Sequence, residues 1–463
     1  MKRNRLFRNA AWLSALAAVM ITSIIFFSCK MEHKQNARAS AVVHPEWSRN
    51  AVIYEVNIRQ YTVEGTFNAF QQHLPRLKDM GVDILWLMPI NPIGEKNRKG
   101  TLGSYYSIRD YLAVNPEYGT MEDFRALVAR AHELGMKVII DWVANHSSWD
   151  NKLITEHPEW YVKDSTGSIV APVPDWTDVA DFDYSQQGLR DYMTNALLFW
   201  VKEADIDGFR CDVAGMVPVD FWNKAVPALK QVKHVFMLAE WETPEMHDTA
   251  FDMTYSWEVY KLLKEIYKGS KTPDQLDTLL AKESAEFNPD AYRMQFTTNH
   301  DENSWNGTEY ELFDGNARTF TVLDYLLPGM PLIYSGQEAG LNKRLSFFDK
   351  DTIRWDDIKL AGFYATLNKL KHSNKALQNG SAGGPLVKLK TGDNPRIYGF
   401  SREAEGNRVL AIFNLSAEPA TVKLAGNDLS GDYEDVFNPM IVKLDEASAM
   451  QLKPWEYRVY VKR

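Results

Sequence analysis

Cysteine is almost absent: 463 residues contain two, Cys29 and Cys211. That is too few for a disulfide framework, and if the first is modified the second has no partner in the chain. Basic blocks are missing beyond the N-terminus, and Lys and Arg number 52 against 61 acids, a formal charge of −9. Such a balance argues against nucleic acid as a partner. No Gly-rich dinucleotide loop follows an early apolar run, and repeats and low-complexity stretches are lacking. With 45% hydrophobic and 24% charged residues, the composition excludes a disordered or collagenous chain and suits one large core plus a smaller one.

Lys2, Arg3, Arg5 and Arg8 precede an apolar run over residues 10–27, followed by Ser28 and Cys29, with no acid before Glu32. This is the pattern of a secretory signal. A small residue before a cysteine that closes the run resembles a bacterial lipobox, which implies cleavage before Cys29 and lipidation of its thiol. An uncleaved single-span anchor is the alternative. Both readings export the body, as a membrane-anchored lipoprotein in the first case, periplasmic or at the cell surface. Residues 1–28 are thus expected to be a signal peptide and 29–46 a polar tether.

From Trp47 onward, short apolar runs alternate with helical patterns: 52–58 then 67–80, 82–88 then 121–134, and 138–143. After His146 the rhythm breaks into a stretch rich in Trp, Pro, Asp and Gly, and it resumes with a helix over 188–203 and strands at 208–213, 235–239, 251–255, 293–297 and 331–334. Eight strands of this kind imply a (β/α)8 TIM barrel with an insertion after strand 3. The expected boundaries are 47–146 and 181–379 for the barrel and 147–180 for the insertion. Residues 380–463 carry six short alternating runs between turn residues, which predicts a C-terminal antiparallel β-sandwich.

In such a barrel the reactive groups sit at the C-terminal strand ends. Three of those ends supply carboxylates, Asp212, Glu240 and Asp301. Converging in one mouth they repel, so one is expected to hold a proton while another stays ionised beside a cation such as Arg210. Such a pair supplies the nucleophile and general acid of retaining glycoside hydrolysis. Glu242 competes with Glu240 for the acid role, but Glu240 directly follows the apolar strand.

The segments 141–146, 208–213, 238–241 and 296–301, in this order, resemble the conserved regions of the α-amylase family, glycoside hydrolase family 13. The resemblance runs from about Trp47 to the C-terminus. It implies Asp212 as nucleophile, Glu240 as acid/base and Asp301 as transition-state stabiliser, with Arg210 holding the nucleophile ionised. It also implies that His146 and His300 bind sugar and that Tyr106, in Gly103-Ser104-Tyr105-Tyr106, is the platform beneath it. A structural Ca²⁺ is implied too, with Asn145 and Asp181 as side-chain ligands; no organic cofactor is expected.

One departure stands out. Many endo-acting amylases carry a Lys-His pair after the nucleophile strand, where this chain has Gly215 and Met216. That leaves room for short maltooligosaccharides or for exo-acting or transferring enzymes. Trp142, Trp149, Trp160, Trp176, Trp241 and Trp305 lie at strand ends or in the insertion, and at most half are expected to touch sugar. The expected activity is hydrolysis of α-1,4-linked glucans or maltooligosaccharides. An α-glucanotransferase on the same site and an inactive carbohydrate-binding relative are the alternatives, and the sequence leaves the oligomeric state open.

Overall fold

A computed structural model describes residues 42–424 and 428–463. The signal segment and Cys29 lie outside the described residues. Eight parallel strands form a closed barrel: β1 (Ile53–Val56), β2 (Ile84–Leu87), β3 (Lys137–Trp142), β4 (Gly208–Cys211), β5 (Phe236–Ala239), β6 (Met253–Tyr255), β7 (Tyr292–Gln295) and β8 (Met330–Tyr334). Each pairs with its sequential neighbour, and β8 returns to β1 with Ile53 opposite Leu332. Their near-continuous apolar character follows from burial on both faces. The interior is filled by Ile53, Ile84, Trp86, Ile139, Leu238, Met253 and Met294, all without solvent exposure.

Helices on the outer face follow their local signals. The helix Met121–Glu133 starts at a capping box, in which Thr120 Oγ1 accepts from the Asp123 amide and Asp123 accepts from the Thr120 amide. It buries Phe124, Leu127, Val128 and Ala131 on one side. The insertion leaves the barrel through a two-stranded antiparallel ribbon, His146–Ser148 against Val179–Asp181, that closes its base.

The packed chain reaches back further than the sequence pattern indicates. Val42 is buried, and His44 bonds to Asp252 Oδ1 at 2.8 Å and to the Asp290 carbonyl at 2.9 Å while stacking on Tyr292. The last residues of the expected tether are thus part of the barrel's N-terminal face. A short polar segment with one aromatic cation gives no periodic signal, which is why the sequence places the start at Trp47.

The C-terminal region holds β9 (Leu386–Lys388), β10 (Ile397–Ala404), β11 (Asn407–Asn414), β12 (Ala420–Lys423), β13 (Gly431–Asp435), β14 (Ile441–Leu444), β15 (Ala449–Leu452) and β16 (Tyr457–Lys462). Six form one antiparallel sheet, in the order β9-β10-β11-β16-β13-β14, and β12 pairs with β15. The sandwich is as expected, with β14 and β15 added. Buried Arg402 on β10 ties it to the barrel through the carbonyls of Leu326 and Leu327, at 3.1 and 3.0 Å.

Candidate active site

The C-terminal ends of the barrel strands carry a layer of polar side chains over the apolar interior. Glu55, Trp86, Asp141 and Arg210 occupy successive strands, with Glu55 opposite Trp86 and Asp141 opposite Arg210. Arg210, fully buried, is the hub. Its Nη1 donates to Asp141 Oδ1 at 2.9 Å and to Asp212 Oδ1 at 3.1 Å, its Nε donates to the Tyr255 hydroxyl at 3.2 Å, and its Nη2 lies 2.9 Å from Glu240 Oε1 as an ion pair.

Asp212 and Glu240 are the residues just beyond β4 and β5, whose last residues, Cys211 and Ala239, are register partners. One strand spacing, about 4.8 Å, therefore separates their backbones. The chain then turns sharply: Val213 has φ 36°, a left-handed conformation costly for a β-branched residue. The turn aims the Val213 amide at Glu240 Oε2, to which it donates at 2.7 Å. Glu242, the competing acid, points elsewhere and accepts from Arg293 Nη2 at 2.7 Å.

A chain of hydrogen bonds leads to the same carboxylates from the far side of the barrel. His300 Nδ1 meets Glu55 Oε1 at 2.5 Å and its Nε2 meets the Tyr106 hydroxyl at 2.8 Å; that hydroxyl donates to Asp141 Oδ2 at 3.1 Å. Asp301 Oδ2 lies 3.4 Å from His300 Nε2. The Tyr106 ring lies near-parallel to His300 and to Phe347, at centroid distances of 5.6 and 6.2 Å.

Burial dominates the electrostatics. It pushes Asp212 well above the usual carboxylate range, Glu240 adds to the rise, and Arg210 opposes both. Asp141 rises to about 6, again through burial, with Arg210 and His300 holding it down. Burial works against a proton on His300, but Asp301 and Glu55 outweigh it and raise the imidazole to about 9. His146 has no such partners, and burial lowers it to about 4. At neutral pH His300 is therefore a cation with two N–H donors and His146 is neutral.

The His300 proton has a consequence for pH dependence. It contributes to stability fully below the unfolded histidine value of about 6.5, and that contribution is lost as pH rises through about 9. Glu55→Gln removes one of the two carboxylates that hold it. The loss of that stability contribution is expected near pH 9 in the wild type and at least about half a pH unit lower in the variant; denaturant unfolding of both proteins across that pH range checks this.

Tyr106, His146, Asp212, Glu240, His300 and Asp301 line a single cavity of about 580 Å³. Its remaining walls include Trp176 and Asp178 from the insertion and Trp305, Phe347 and Phe348 from the loops after β7 and β8. Every catalytic and sugar-binding candidate named from the sequence thus reaches this cavity, except Arg210, which lies beneath it. Of the six tryptophans, Trp176 and Trp305 line it and Trp241 lines an adjoining one, whereas Trp142 is fully buried in the core. Glu55 and Phe347 were not among the candidates. A charged residue within the apolar run of β1 was a readable signal; Phe347 gave none.

Asn145 and Asp181 also meet, with Asn145 Nδ2 3.4 Å from Asp181 Oδ1 and the Asn145 carbonyl accepting from the Phe182 amide at 3.0 Å. Among the described residues no group of three or more His, Cys, Asp or Glu is placed to hold a metal ion.

The family model for the alpha-amylase catalytic domain matches residues 35–168 and 160–375, most of the chain. The chain belongs to the alpha-amylase family. Alpha-amylase MalA of Haloarcula japonica is 30% identical over 418 residues, which cover 84% of this chain and 59% of that protein. The chain thus spans less than two thirds of that relative's length. Among solved structures, an alpha-amylase from Lactobacillus plantarum superposes with a TM-score of 0.80 at 34% identity, covering 90% of this chain and 100% of that one. The noncanonic maltogenic alpha-amylase AmyB from Thermotoga neapolitana gives 0.81 at 32% identity, with 89% and 98% covered.

Proposed function

We propose that the protein is a retaining α-glycoside hydrolase that cleaves α-1,4-glucosidic bonds in starch-derived glucans or maltooligosaccharides. The observation that carries this is the pairing of Asp212 and Glu240 on adjacent strand ends, both touched by the one Arg210 guanidinium. A backbone spacing near 4.8 Å suits carboxyl groups about 5–5.5 Å apart, the separation used with retention of configuration. In this reading Asp212 attacks the anomeric carbon as the anion, which the Arg210 contact favours against burial, while the glycosidic C–O bond breaks and Glu240 gives its proton to the departing oxygen. Glu240 then takes a proton from water, which attacks the same carbon and frees Asp212.

The surrounding groups fit a sugar bound above Asp212. The Tyr106 ring offers a flat face, His300 holds the Tyr106 hydroxyl in place, and Asp301 can accept from sugar hydroxyls. Chromatography of products from maltoheptaose, soluble starch, pullulan and isomaltose tests the reading, with Asp212→Asn as control. Short α-1,4 products from wild type alone support it, and products longer than the substrate favour the glucanotransferase. Binding of all four without turnover by wild type leaves only the carbohydrate-binding reading.

Calcium is proposed as a structural ligand. The Asn145 amide oxygen and the Asp181 carboxylate have the hard-oxygen chemistry it takes, and backbone carbonyls would complete the set; bound there, it would pin the base of the insertion to the barrel. Calcium at a hundredfold excess over its dissociation constant is expected to stabilise the fold by about 2.7 kcal/mol relative to a chelator, and Asp181→Asn to abolish the difference. Thermal denaturation with calcium and with chelator measures both.

Export as a lipoprotein is proposed on the N-terminal pattern and Cys29 alone. Radiolabelled palmitate is expected to enter the full chain in a bacterial host and not the Cys29→Ala variant, as gel autoradiography would record.

A further inference from the structure

A separate cavity, of about 290 Å³, lies at the seam between the barrel and the C-terminal sandwich. Asn316 and Arg318 line it from the barrel, at the start of the helix Ala317–Leu326, and Phe437, Asn438, Trp455 and Tyr457 line it from the sandwich. That helix leads into β8, so it runs away from the C-terminal end of the barrel, and its first turn stands at the same end as the active-site mouth.

Phe437, Trp455 and Tyr457 all stop half-buried at this seam. The Trp455 ring leans on Tyr267 at 4.9 Å and on Phe320 at 6.0 Å, and Phe437 lies near-parallel to Phe363 at 5.9 Å. The Trp455 backbone has φ 55°, a left-handed conformation costly for a bulky residue. Two hydrogen bonds hold it there: its amide donates to the Ser416 carbonyl at 3.1 Å, and its carbonyl accepts from Thr319 Oγ1 at 2.5 Å. The fold thus tolerates backbone strain to set this indole at the cavity wall. Asp435 accepts from the Phe437 and Asn438 amides, both at 2.9 Å, which fixes the turn that carries them. Arg318 and Asn438 are exposed, and among the described residues neither side chain forms an ion pair or a hydrogen bond. Arg458, also in the lining, is paired with Glu456 at 2.7 Å, so the cavity has one unpaired guanidinium, a balance that suits a neutral ligand better than a phosphate. Pyranose rings have C–H faces that pack on aromatic carbon and hydroxyls that pair with guanidinium and amide groups at the rim. The volume falls just under the range of about 300–1,000 Å³ usual for small-molecule sites, which fits a short stretch of sugar chain.

We infer that the seam cavity is a non-catalytic α-glucan site, in which one stretch of a long chain packs on Trp455 while another occupies the active cavity. The inference rests on the hydrolase reading above for the class of its ligand.

Isothermal titration of the Asp212→Asn protein with maltoheptaose tests this without turnover, and two classes of site are expected. Adding Trp455→Ala is expected to weaken one class at least about tenfold, and Trp455→Phe, which retains a flat ring, to recover most of it. Arg318→Ala combined with Asn438→Ala removes only exposed, unpartnered side chains, so the packing stays intact, and it is expected to weaken the same class about fivefold. Tyr106→Ala should weaken the other class alone. A single class that is lost with Tyr106→Ala and indifferent to the seam variants would overturn the inference while leaving the hydrolase reading intact. A single class lost with Trp455→Ala and indifferent to Tyr106→Ala would uphold the seam site and overturn the reading of the active cavity. No binding at all would overturn both.

Discussion

Asp212→Asn is expected to lower kcat on maltooligosaccharides by at least about 10⁴-fold while the protein stays folded. The change removes the attacking oxygen anion and little else: Asn fills the same space, and Arg210 can still donate to its amide oxygen in place of Asp212 Oδ1. Glu240→Gln should behave differently. It removes the proton that a sugar leaving group needs, so turnover of maltooligosaccharides is lost, but α-maltosyl fluoride requires no such proton and should still release a burst of about one fluoride per active site, after which turnover slows because no base activates water. Fluoride release followed from the first turnover in both variants separates the roles. Interchanged behaviour, with Asp212→Asn sparing the fluoride, would reverse the assignment.

Arg210→Leu carries the second large effect, on stability as well as rate. Arg210 is wholly buried and contacts Asp141, Asp212 and Glu240. Deleting the cation leaves buried carboxylates without compensation, a loss of about 3–5 kcal/mol when one partner of a buried pair is removed. The loss should depend on pH with a definite sign. Asp141 already sits near 6 because of burial, and without Arg210 the carboxyls bind protons more readily. A raised carboxyl pKa means stability that is present at low pH and lost as pH rises through the folded value. The variant should therefore be penalised less at pH 5 than at pH 8, and denaturant unfolding at the two values tests it. Activity should fall by about 10²–10³-fold or more at either pH, since a preorganised charge beneath the nucleophile is gone.

The barrel was legible because its strands are buried on both faces and read as continuous apolar runs. The site was legible because strand ends interrupt those runs with Asp212, Glu240 and Asp301. Strands β14 and β15 escaped notice because they are short: each has four residues and turns only two inward, Val442 and Leu444 or Met450 and Leu452, too brief an alternation to stand out. Phe347 and Phe348 reach the cavity through contacts distant in sequence. The Leu102 amide donates to the Phe348 carbonyl at 3.0 Å, and the Thr101 amide to Asp349 at 2.9 Å, which draws the loop after β8 against the loop after β2. No local pattern encodes such a meeting. Gly215 and Trp241 show the same limit more sharply: each was visible as a residue, but that one makes room for the other is a fact of three dimensions.

The central claim is retention of configuration through a covalent bond to Asp212, and proton NMR of the first products tests it most directly. With maltooligosaccharide and enough enzyme to outpace mutarotation, the new reducing end should appear first as the α-anomer, and the β-anomer should follow only as solution equilibrium is reached. Initial release of the β-anomer would mean a single displacement by water, and the assignment of Asp212 as nucleophile would be wrong.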